Sequence, residues 1–282
     1  MILVADSGAT KTDWCMINGD KRSRVFETLG LNPTYVSDLI IDHQIGLAAK
    51  HFGKTSTVEK VFFYGAGCAD EKSCNKMKSE LASYFQNAEI EVNTDLLGAC
   101  RAVCGESDGI VGILGTGSNS CVYQKGEIVA NIPSAGYMLG DEGSGTYIGK
   151  QLLKKYLTAR IPYNIEPKFH EYLGGMDRSQ ILDRVYRQPQ PNKFFASLAP
   201  FAIKNRRYTY IYFLVEHCLD DFFTNQISLY FENDINDLYL VGSVAAKLEN
   251  QLKKCAEKHG FVLKKVLQKP IEGLAEYHSK NG

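Results

Sequence analysis

The sequence contains the same short pattern twice. Residues 2–19 read as an apolar strand, a turn of small residues, a second strand and a hairpin glycine, and residues 110–126 repeat that order. The turn glycines Gly8 and Gly115 each precede the hairpin glycines, Gly19 and Gly126, by 11 residues. Glycine-rich turns between strands expose backbone N–H groups that can bind phosphate. The repeat therefore predicts two similar lobes, whose facing loops would hold a nucleotide in a cleft.

Composition excludes several functional classes. The chain has 282 residues, a length that suits two domains, and its 32 basic and 32 acidic residues give no general electrostatic case for nucleic acid or membrane partners. The apolar run at residues 1–5 is too short for a signal peptide, so we predict a cytoplasmic protein. The eight cysteines form no CxxC pair of the kind that zinc sites use, and we interpret them as reduced, buried thiols.

Strands that alternate with helices after a three-strand meander predict an α/β protein with mixed sheets. A first lobe is expected over residues 1–106, with strands at 1–5, 12–17, 22–28, 61–64 and 89–93, and helices at 36–52, 71–85 and 95–104. A second lobe is expected over 107–270, with strands at 110–114, 118–124, 127–132, 238–241 and 261–265. Helices are predicted from 141 to 155, through a helical insertion at about 150–232, and at 244–258. A closing helix over 271–282 could pack on the first lobe.

The first loop combines a carboxylate with potential phosphate ligands. Asp6 ends an apolar strand, where a carboxylate needs a partner or a cation. The donors that follow it are Ser7, Gly8, Thr10, Lys11 and Thr12. A Mg²⁺ ion held by one or two carboxylates and by nucleotide phosphates would use all of these groups; an ordinary hairpin capped by Asp6 is the alternative. When Gly8 is aligned with Gly115, Ile113 falls opposite Asp6, so metal binding is expected mainly in the first lobe.

Further acidic residues lie at strand-to-helix junctions. Asp95 follows a predicted strand and could be the N-cap or first turn of a helix, or a general base that accepts a proton from a substrate hydroxyl. Asp141 and Glu142 lie in the glycine-rich segment 136–145 and could either cap a helix or bind sugar hydroxyls. Gly242 and Ser243 form another strand-to-helix turn, with room for a flat ligand.

Taken together, these segments resemble a known family. The motifs, in chain order, are Asp6-x-Gly8-x-Thr10-Lys11-Thr12, Leu31-Asn32-Pro33, Thr94-Asp95-x-x-Gly98-Ala99, Gly115-Thr116-Gly117-Ser118-Asn119, Gly140-Asp141-Glu142-Gly143-Ser144, Gly242-Ser243-Val244 and Pro270-x-x-Gly273. They are similar to those of the actin/hexokinase/Hsp70 ATPase superfamily, and within it to the N-acetylglucosamine kinase and BadF/BadG/BcrA/BcrD-type ATPase family. The resemblance covers nearly the whole chain.

The resemblance implies two ribonuclease H-like lobes of the actin-like ATPase fold, with ATP and Mg²⁺ in the cleft between them. It implies an ATP-dependent kinase acting on an amino sugar, N-acetylglucosamine first, with Asp95 as the base and Asp6 on the metal side. The implied nucleotide ligands are Ser7, Gly8, Thr10, Lys11, Thr12, Gly115, Thr116, Gly117, Gly242 and Ser243. The implied sugar ligands are Asn32, Gly67, Asp95, Ser118, Asn119, Gly136, Asp141 and Glu142.

Two other functions stay open on the sequence alone. One is an ATPase that activates a dehydratase or reductase by passing electrons from an iron–sulfur cluster, although the cysteine-containing loop of those relatives has no counterpart here. The other is a non-catalytic sugar sensor, which would not need a base at Asp95. A homodimer is compatible with either the kinase or these alternatives.

Overall fold

The computed structural model describes residues 1–8, 10–19, 21–233 and 235–281, and the side chains of residues 232 and 233 are not described. Ala9 of the first loop and Asp20 of the first predicted hairpin turn therefore lie outside the described residues. The elements run β1 (Ile2–Ser7), β2 (Lys11–Asn18), β3 (Lys21–Arg22), β4 (Phe26–Leu29), α1 (Asp38–Phe52), β5 (Lys60–Gly65), α2 (Glu71–Tyr84), β6 (Glu89–Thr94), α3 (Asp95–Cys104), β7 (Gly109–Leu114), β8 (Ser118–Gln124), β9 (Glu127–Ile132), α4 (Gly136–Leu139), α5 (Gly145–Leu157), α6 (Glu166–Tyr172), α7 (Arg178–Tyr186), α8 (Pro191–Lys204), α9 (Thr209–Asn225), β10 (Asp237–Val241), α10 (Ser243–Lys247), α11 (Glu249–Lys258), β11 (Val262–Leu267) and α12 (Pro270–Asn281). Single 3₁₀ segments lie at Thr55–Thr57 and Ile227–Asn233.

The chain divides into two compact units. Unit 1 comprises residues 1–108, 123–128 and 269–282, and unit 2 comprises residues 109–122 and 129–268. The last helix, α12, therefore belongs to unit 1 although it follows the last strand of unit 2 in sequence.

The sheet of unit 1 is mixed, and its two faces differ in chemistry. Its order is β3-β2-β1-β5-β6, with β4 also paired to β2. β1 is antiparallel to β2 and parallel to β5, which is parallel to β6. Leu3, Trp14 and Phe63 point to one face and pack in a buried core with α1 and α2. Because side chains alternate along a strand, Asp6 and Tyr64 point to the opposite face, on which α3 and α12 pack.

The second sheet repeats this topology. Its order is β11-β10-β7-β8-β9, with β10 parallel to both β7 and β11. β7 and the start of β8 fall where β1 and the start of β2 would fall if 107 were added to each residue number. Helices α5 to α11 bury a large apolar core against this sheet, with Phe195, Phe222 and Leu240 among its members. The predicted duplicated α/β fold is thus confirmed.

Three sequence predictions of element bounds are wrong. The single strand predicted over 22–28 is two strands, because the Ser23 hydroxyl accepts the Met16 N–H (2.9 Å) and interrupts the backbone ladder. The helix predicted from 141 begins at Gly145, because Asp141 has a φ of 59° and Ser144 is the N-cap. The helix predicted over 244–258 is interrupted at Leu248, whose φ is −113°. In the described part of the chain, no helix is both long and apolar enough to cross a membrane.

Candidate active site

Two buried hydroxyl groups stabilise the first predicted loop, which lies between β1 and β2. Ser7 Oγ lies 2.8 Å from Thr12 Oγ1 and accepts the backbone N–H of Leu31 at 2.9 Å. Both hydroxyl-bearing residues are fully buried, and the N–H of Gly8 donates to the Lys11 carbonyl (2.9 Å). Ser7 and Thr12 therefore build the loop. Of the predicted ligands, Thr10 is exposed at its tip.

Lys11 is the centre of an ion-pair cluster. Its Nζ lies 2.9 Å from the buried carboxylate of Asp13 and 3.0 Å from Glu27, and Lys269 also approaches Asp13 at 3.4 Å. Burial alone would lower the pKa of Lys11, but its hydrogen bonds to Asp13 and Glu27 raise that pKa above the ordinary value. The ammonium group therefore stays charged beside the loop.

The two loop glycines are not required by packing. A Cβ at Gly8 would meet only the Lys11 carbonyl, at 3.9 Å, and a Cβ at Gly115 would meet nothing within 4 Å. Neither residue has a φ in the left-handed region that favours glycine. Open space beside exposed backbone, where the fold would accept a side chain, is what close approach of a ligand requires.

Asp6 lies in a row of polar residues across the sheet of unit 1. It is directly opposite Asp13 on β2 and in register with Tyr64 on β5, which is in register with Asn93 on β6. Asp6 is half-buried, and burial, followed by the charges of Asp95 and Asp13, raises its pKa to about 7. A divalent cation would compensate such a carboxylate. The described residues hold no group of three or more His, Cys, Asp or Glu placed to bind a metal.

Asp95 is the first residue of α3 and is not its N-cap. Thr94 takes the N-cap position, and its hydroxyl accepts the N–H of Leu97 at 3.1 Å. The N-cap alternative for Asp95 is therefore wrong, while its placement in the first helical turn is confirmed. Burial raises the pKa of the half-buried Asp95 to about 6, although backbone N–H groups of the first turn favour its charged form. A carboxylate with a pKa near neutrality is suited to general-base chemistry.

Two residues predicted to bind sugar are neighbours in unit 1. A Cβ at Gly67, which has a φ of 86°, would lie 2.3 Å from the Asn32 amide oxygen. That oxygen also accepts the N–H of Thr34 at 2.9 Å. The preceding residue, Leu31, is tied to Ser7 of the first loop, so Asn32 is fixed relative to that loop.

In unit 2, the second predicted loop is held against two helix starts. The Gly115 N–H donates to the Gly117 carbonyl (3.0 Å), and the Gly115 and Thr116 carbonyls accept N–H groups from the first two residues of α5. Gly242 has a φ of 123°, and a Cβ there would lie 2.3 Å from the Leu114 carbonyl oxygen. Only glycine fits at 242, and the exposed Ser243 that follows begins α10.

The acidic residues of the glycine-rich segment accept hydrogen bonds from Ser118 at the start of β8, from Ser134 and from Gln226, which follows α9. Buried Asp141 accepts the Ser118 N–H (3.2 Å) and the Ser134 hydroxyl (3.0 Å), and Glu142 accepts from the amide of Gln226 (3.3 Å). Gly136 begins the short helix α4 with a φ of 71°. These acids therefore organise the start of β8 and do not cap α5.

Sequence reasoning missed the network that supports these residues. Gln226 also contacts the hydroxyls of Ser118 (3.3 Å) and Ser120 (3.2 Å). The amide oxygen of Asn119 accepts from the Ser120 N–H and from the Asn131 amide. Because Gln226 is 108 residues from Ser118 along the chain, no local motif could have identified it.

Comparison with solved structures identifies relatives over the full length of the chain. A candidate N-acetylglucosamine kinase from Porphyromonas gingivalis is 39% identical, with a TM-score of 0.94 over 100% of this chain and 99% of that one. A second candidate N-acetylglucosamine kinase, from Chromobacterium violaceum, is 18% identical, with a TM-score of 0.78 over 98% of both chains. A ROK family glucokinase from Streptomyces griseus, solved with glucose and AMPPNP, shares the fold at 16% identity and a TM-score of 0.56, over 100% of this chain and 99% of that one.

Comparisons with protein-family models and with curated proteins give no match. At 39% identity over the full length of both chains, the P. gingivalis protein is similar enough for the shared fold to mean a shared family. The chain belongs to the N-acetylglucosamine kinase family of sugar kinases, within the actin-like ATPase superfamily.

Proposed function

We propose that this protein transfers the γ-phosphate of ATP to a hydroxyl of N-acetylglucosamine or a closely related amino sugar. The observation that carries the proposal is the pair of acids in unit 1. Asp6 and Asp95 are both half-buried, and the charge of Asp95 contributes to the raised pKa of Asp6. Phosphoryl transfer to an alcohol needs two such carboxylates, one on the metal side and one as the base.

Asp95 is assigned as the general base. Its carboxylate would accept the proton of the attacking sugar hydroxyl, and its raised pKa makes it a better proton acceptor than an exposed aspartate. Because Asp95 lies at the N-terminus of α3, the helix dipole stabilises its negative charge before it accepts the proton.

Asp6 is assigned to the metal side. The backbone N–H groups of Thr10 in the first loop and of Thr116 and Gly117 in the second would bind phosphate oxygens, because the N–H groups of Gly8 and Gly115 donate within their own loops. The bound Mg²⁺ would supply charge neutralisation for the phosphates. The ammonium group of Lys11 follows the same loop, where its charge is paired with Asp13 and Glu27.

The sugar ligands are proposed from both units. Asn32, beside Gly67, offers an amide from unit 1. From unit 2, Asp141 offers a carboxylate acceptor and Asn119 an amide N–H donor for sugar hydroxyls, and their orientation is set by Ser118, Ser134 and Asn131. Carboxylates and amides held by internal hydrogen bonds lose little entropy when they bind a sugar.

The test is an ADP-release assay with ATP, Mg²⁺ and a panel of sugars: N-acetylglucosamine, glucosamine, N-acetylmannosamine, N-acetylmuramic acid and glucose. We expect the highest kcat/KM with N-acetylglucosamine. A preference for glucose would overturn the amino-sugar assignment, and ATP turnover that no sugar stimulates would overturn the kinase assignment for this panel.

A matched pair of variants tests the chemistry. Asp95→Asn should lower kcat for sugar phosphorylation by about 10²- to 10⁴-fold, while ATP-analogue binding, measured by calorimetry, is kept. Glu106→Gln removes an exposed acid just beyond the same helix and should leave turnover unchanged. Equal turnover by wild type and Asp95→Asn would remove Asp95 from its role.

A further inference from the structure

Three polar side chains meet on the face of the unit 1 sheet that α3 and α12 cover. Arg101 of α3 donates from Nη1 to the hydroxyl of Tyr64 at 2.7 Å, and that hydroxyl lies 2.8 Å from Nε2 of His278 on α12. Tyr64 and His278 are buried, although they are 214 residues apart in sequence.

The direction of each hydrogen bond follows from the donors available. Arg101 can only donate, so the Tyr64 oxygen accepts from it and its own proton is free to go to His278 Nε2. In the tautomer with its proton on Nδ1, neutral His278 accepts that proton at Nε2, and the neutral ring agrees with a pKa that burial and then the Arg101 charge lower to about 4. In this arrangement Arg101 donates to Tyr64, and Tyr64 donates to His278.

Tyr64 lies along the first two turns of α3. A Cβ at Gly98, three residues after Asp95, would lie 2.8 Å from Cβ and Cγ of Tyr64, so the helix backbone rests directly on this side chain. The tip of Tyr64 binds Arg101, one turn further along. Contacts at both ends of one rigid side chain fix the distance of α3 from the sheet and its rotation about its own axis. Asp95 is the first residue of this helix.

Helix α12 also contacts both the sheet and α3. The ring of His278 stacks on Phe62 of β5, with centroids 3.8 Å apart and planes 17° apart. A Cβ at Gly273 would lie 2.2 Å from the carbonyl oxygen of Ala102, so α12 and α3 are in backbone contact. Helix α12 thus packs beside α3 on the same face of the sheet and is in direct contact with it.

Arg101 depends on this contact. Its Nη1 also binds Glu91 of β6 at 3.1 Å, and its Nε is buried without a hydrogen-bond partner among the described residues. Loss of the Tyr64 hydroxyl would leave Glu91 as its acceptor and would let the guanidinium, and α3 with it, move towards β6.

We propose that Tyr64 is a positioning residue for phosphoryl transfer, which sets the Asp95 carboxylate through the Arg101–Tyr64–His278 hydrogen bonds. Tyr64 is in register with Asp6 on the neighbouring strand. The Tyr64 side chain therefore connects the helix that carries the proposed base to the strand beside the one that carries the proposed metal-side acid. This inference rests on the proposed function.

The test is steady-state kinetics of Tyr64→Phe, which keeps the ring against Gly98 and removes both hydroxyl hydrogen bonds. Because small displacements of a catalytic group are costly, we expect kcat to fall about 10- to 100-fold, with KM for ATP and sugar changed less than about twofold. Tyr84→Phe removes a hydrogen bond to Asp42 on the opposite side of the sheet and should keep full kcat. Unchanged kcat in Tyr64→Phe would overturn the proposal.

Two further readouts separate positioning from general stability. His278→Gln keeps an acceptor for the Tyr64 proton and should retain more of kcat than His278→Ala, and equal kcat in the two would contradict the assignment. Adding Tyr64→Phe to Asp95→Asn should cause no further loss, because its effect passes through Asp95. If Asp95→Asn itself keeps full turnover, the proposed function fails; if Asp95→Asn is inactive and Tyr64→Phe is normal, only this inference fails.

Discussion

Replacing Asp95 by asparagine should make the protein more stable while it removes activity. The structural cause is the cost of keeping a carboxylate charged where burial raises its pKa from 3.8 to about 6. At about 1.4 kcal/mol per pH unit, that rise corresponds to roughly 3 kcal/mol. Because the side chain is still in partial contact with water, we discount the figure to about 1–2 kcal/mol.

The sign depends on pH in a way that can be checked. Between pH 3.8 and about 6, the folded state binds a proton at Asp95 that the unfolded state releases, so wild-type stability falls as pH rises through this range. Asparagine never carries that charge. The free energy of unfolding should therefore be higher in Asp95→Asn than in wild type by about 1–2 kcal/mol above pH 6.5, and the difference should shrink towards zero near pH 4.

The assay is urea denaturation at pH 4, 5.5 and 7.5 without nucleotide or metal, paired with turnover at pH 7.5. Loss of a general base should lower kcat by about 10²- to 10⁴-fold. Glu106→Gln serves again as the exposed control and should show neither effect. A stability difference that is constant with pH, or a destabilised Asp95→Asn, would refute the argument from burial whatever the activity.

Three further substitutions and one pH profile follow from the site. Gly115→Ala should change the free energy of unfolding by less than about 0.5 kcal/mol, because its Cβ meets open space, yet raise KM for ATP; a normal KM would contradict a ligand at this loop. Gly242→Ala should lower the free energy of unfolding, measured by denaturation, by about 2–5 kcal/mol because of the positive φ and the clash with Leu114. A loss under about 1 kcal/mol would contradict the requirement for glycine at this position. Asp141→Asn keeps an acceptor oxygen and a residue type that tolerates a φ of 59°, so the local backbone should be kept. Because the carboxylate proposed to bind sugar hydroxyls is lost, KM for sugar should rise while KM for ATP is unchanged. In a pH profile, kcat/KM should fall about tenfold per pH unit below about 6 as Asp95 takes up its proton, and a flat profile would exclude it as the base.

The elements that sequence predicted well are those with local causes. The strands at 118–124 and 127–132 and the helix at 95–104 were predicted with the observed bounds, because turn glycines and alternating apolar residues mark them. The register that aligns Gly8 with Gly115 is also confirmed, since β1 and β7 have equal lengths in it.

The parts that sequence missed depend on contacts between distant residues or on unusual backbone. Nothing near Ser23 indicates that its hydroxyl will replace a backbone acceptor for Met16. The left-handed conformation of Asp141 delays the start of α5, and it exists because the carboxylate binds Ser118 and Ser134. Asp95 could be separated from an N-cap only when Thr94 was seen in that position.

The duplicated scaffold uses the same backbone for different chemistry in its two copies. At equivalent positions, Asp6 of unit 1 corresponds to Ile113 of unit 2, and the Lys11–Asp13 ion pair corresponds to Ser118 and Ser120, which hydrogen-bond to Gln226. Backbone donors from a strand-turn-strand unit bind phosphate without regard to side chains, so that function can be kept in both copies.

Charge cannot be duplicated so freely. A second acid at position 113 would add a half-buried carboxylate, and each like charge near a carboxylate raises its pKa and the cost of folding. Unit 1 already carries this cost in Asp6 and Asp95, and partly offsets it with Lys11 and Lys269. The neutral serine network of unit 2 is therefore free to orient hydroxyl-bearing ligands. The cost of adding buried charge therefore accounts for why the proposed metal-side acid and base both lie in unit 1, while the positions of unit 2 that are equivalent to Asp6, Lys11 and Asp13 are neutral.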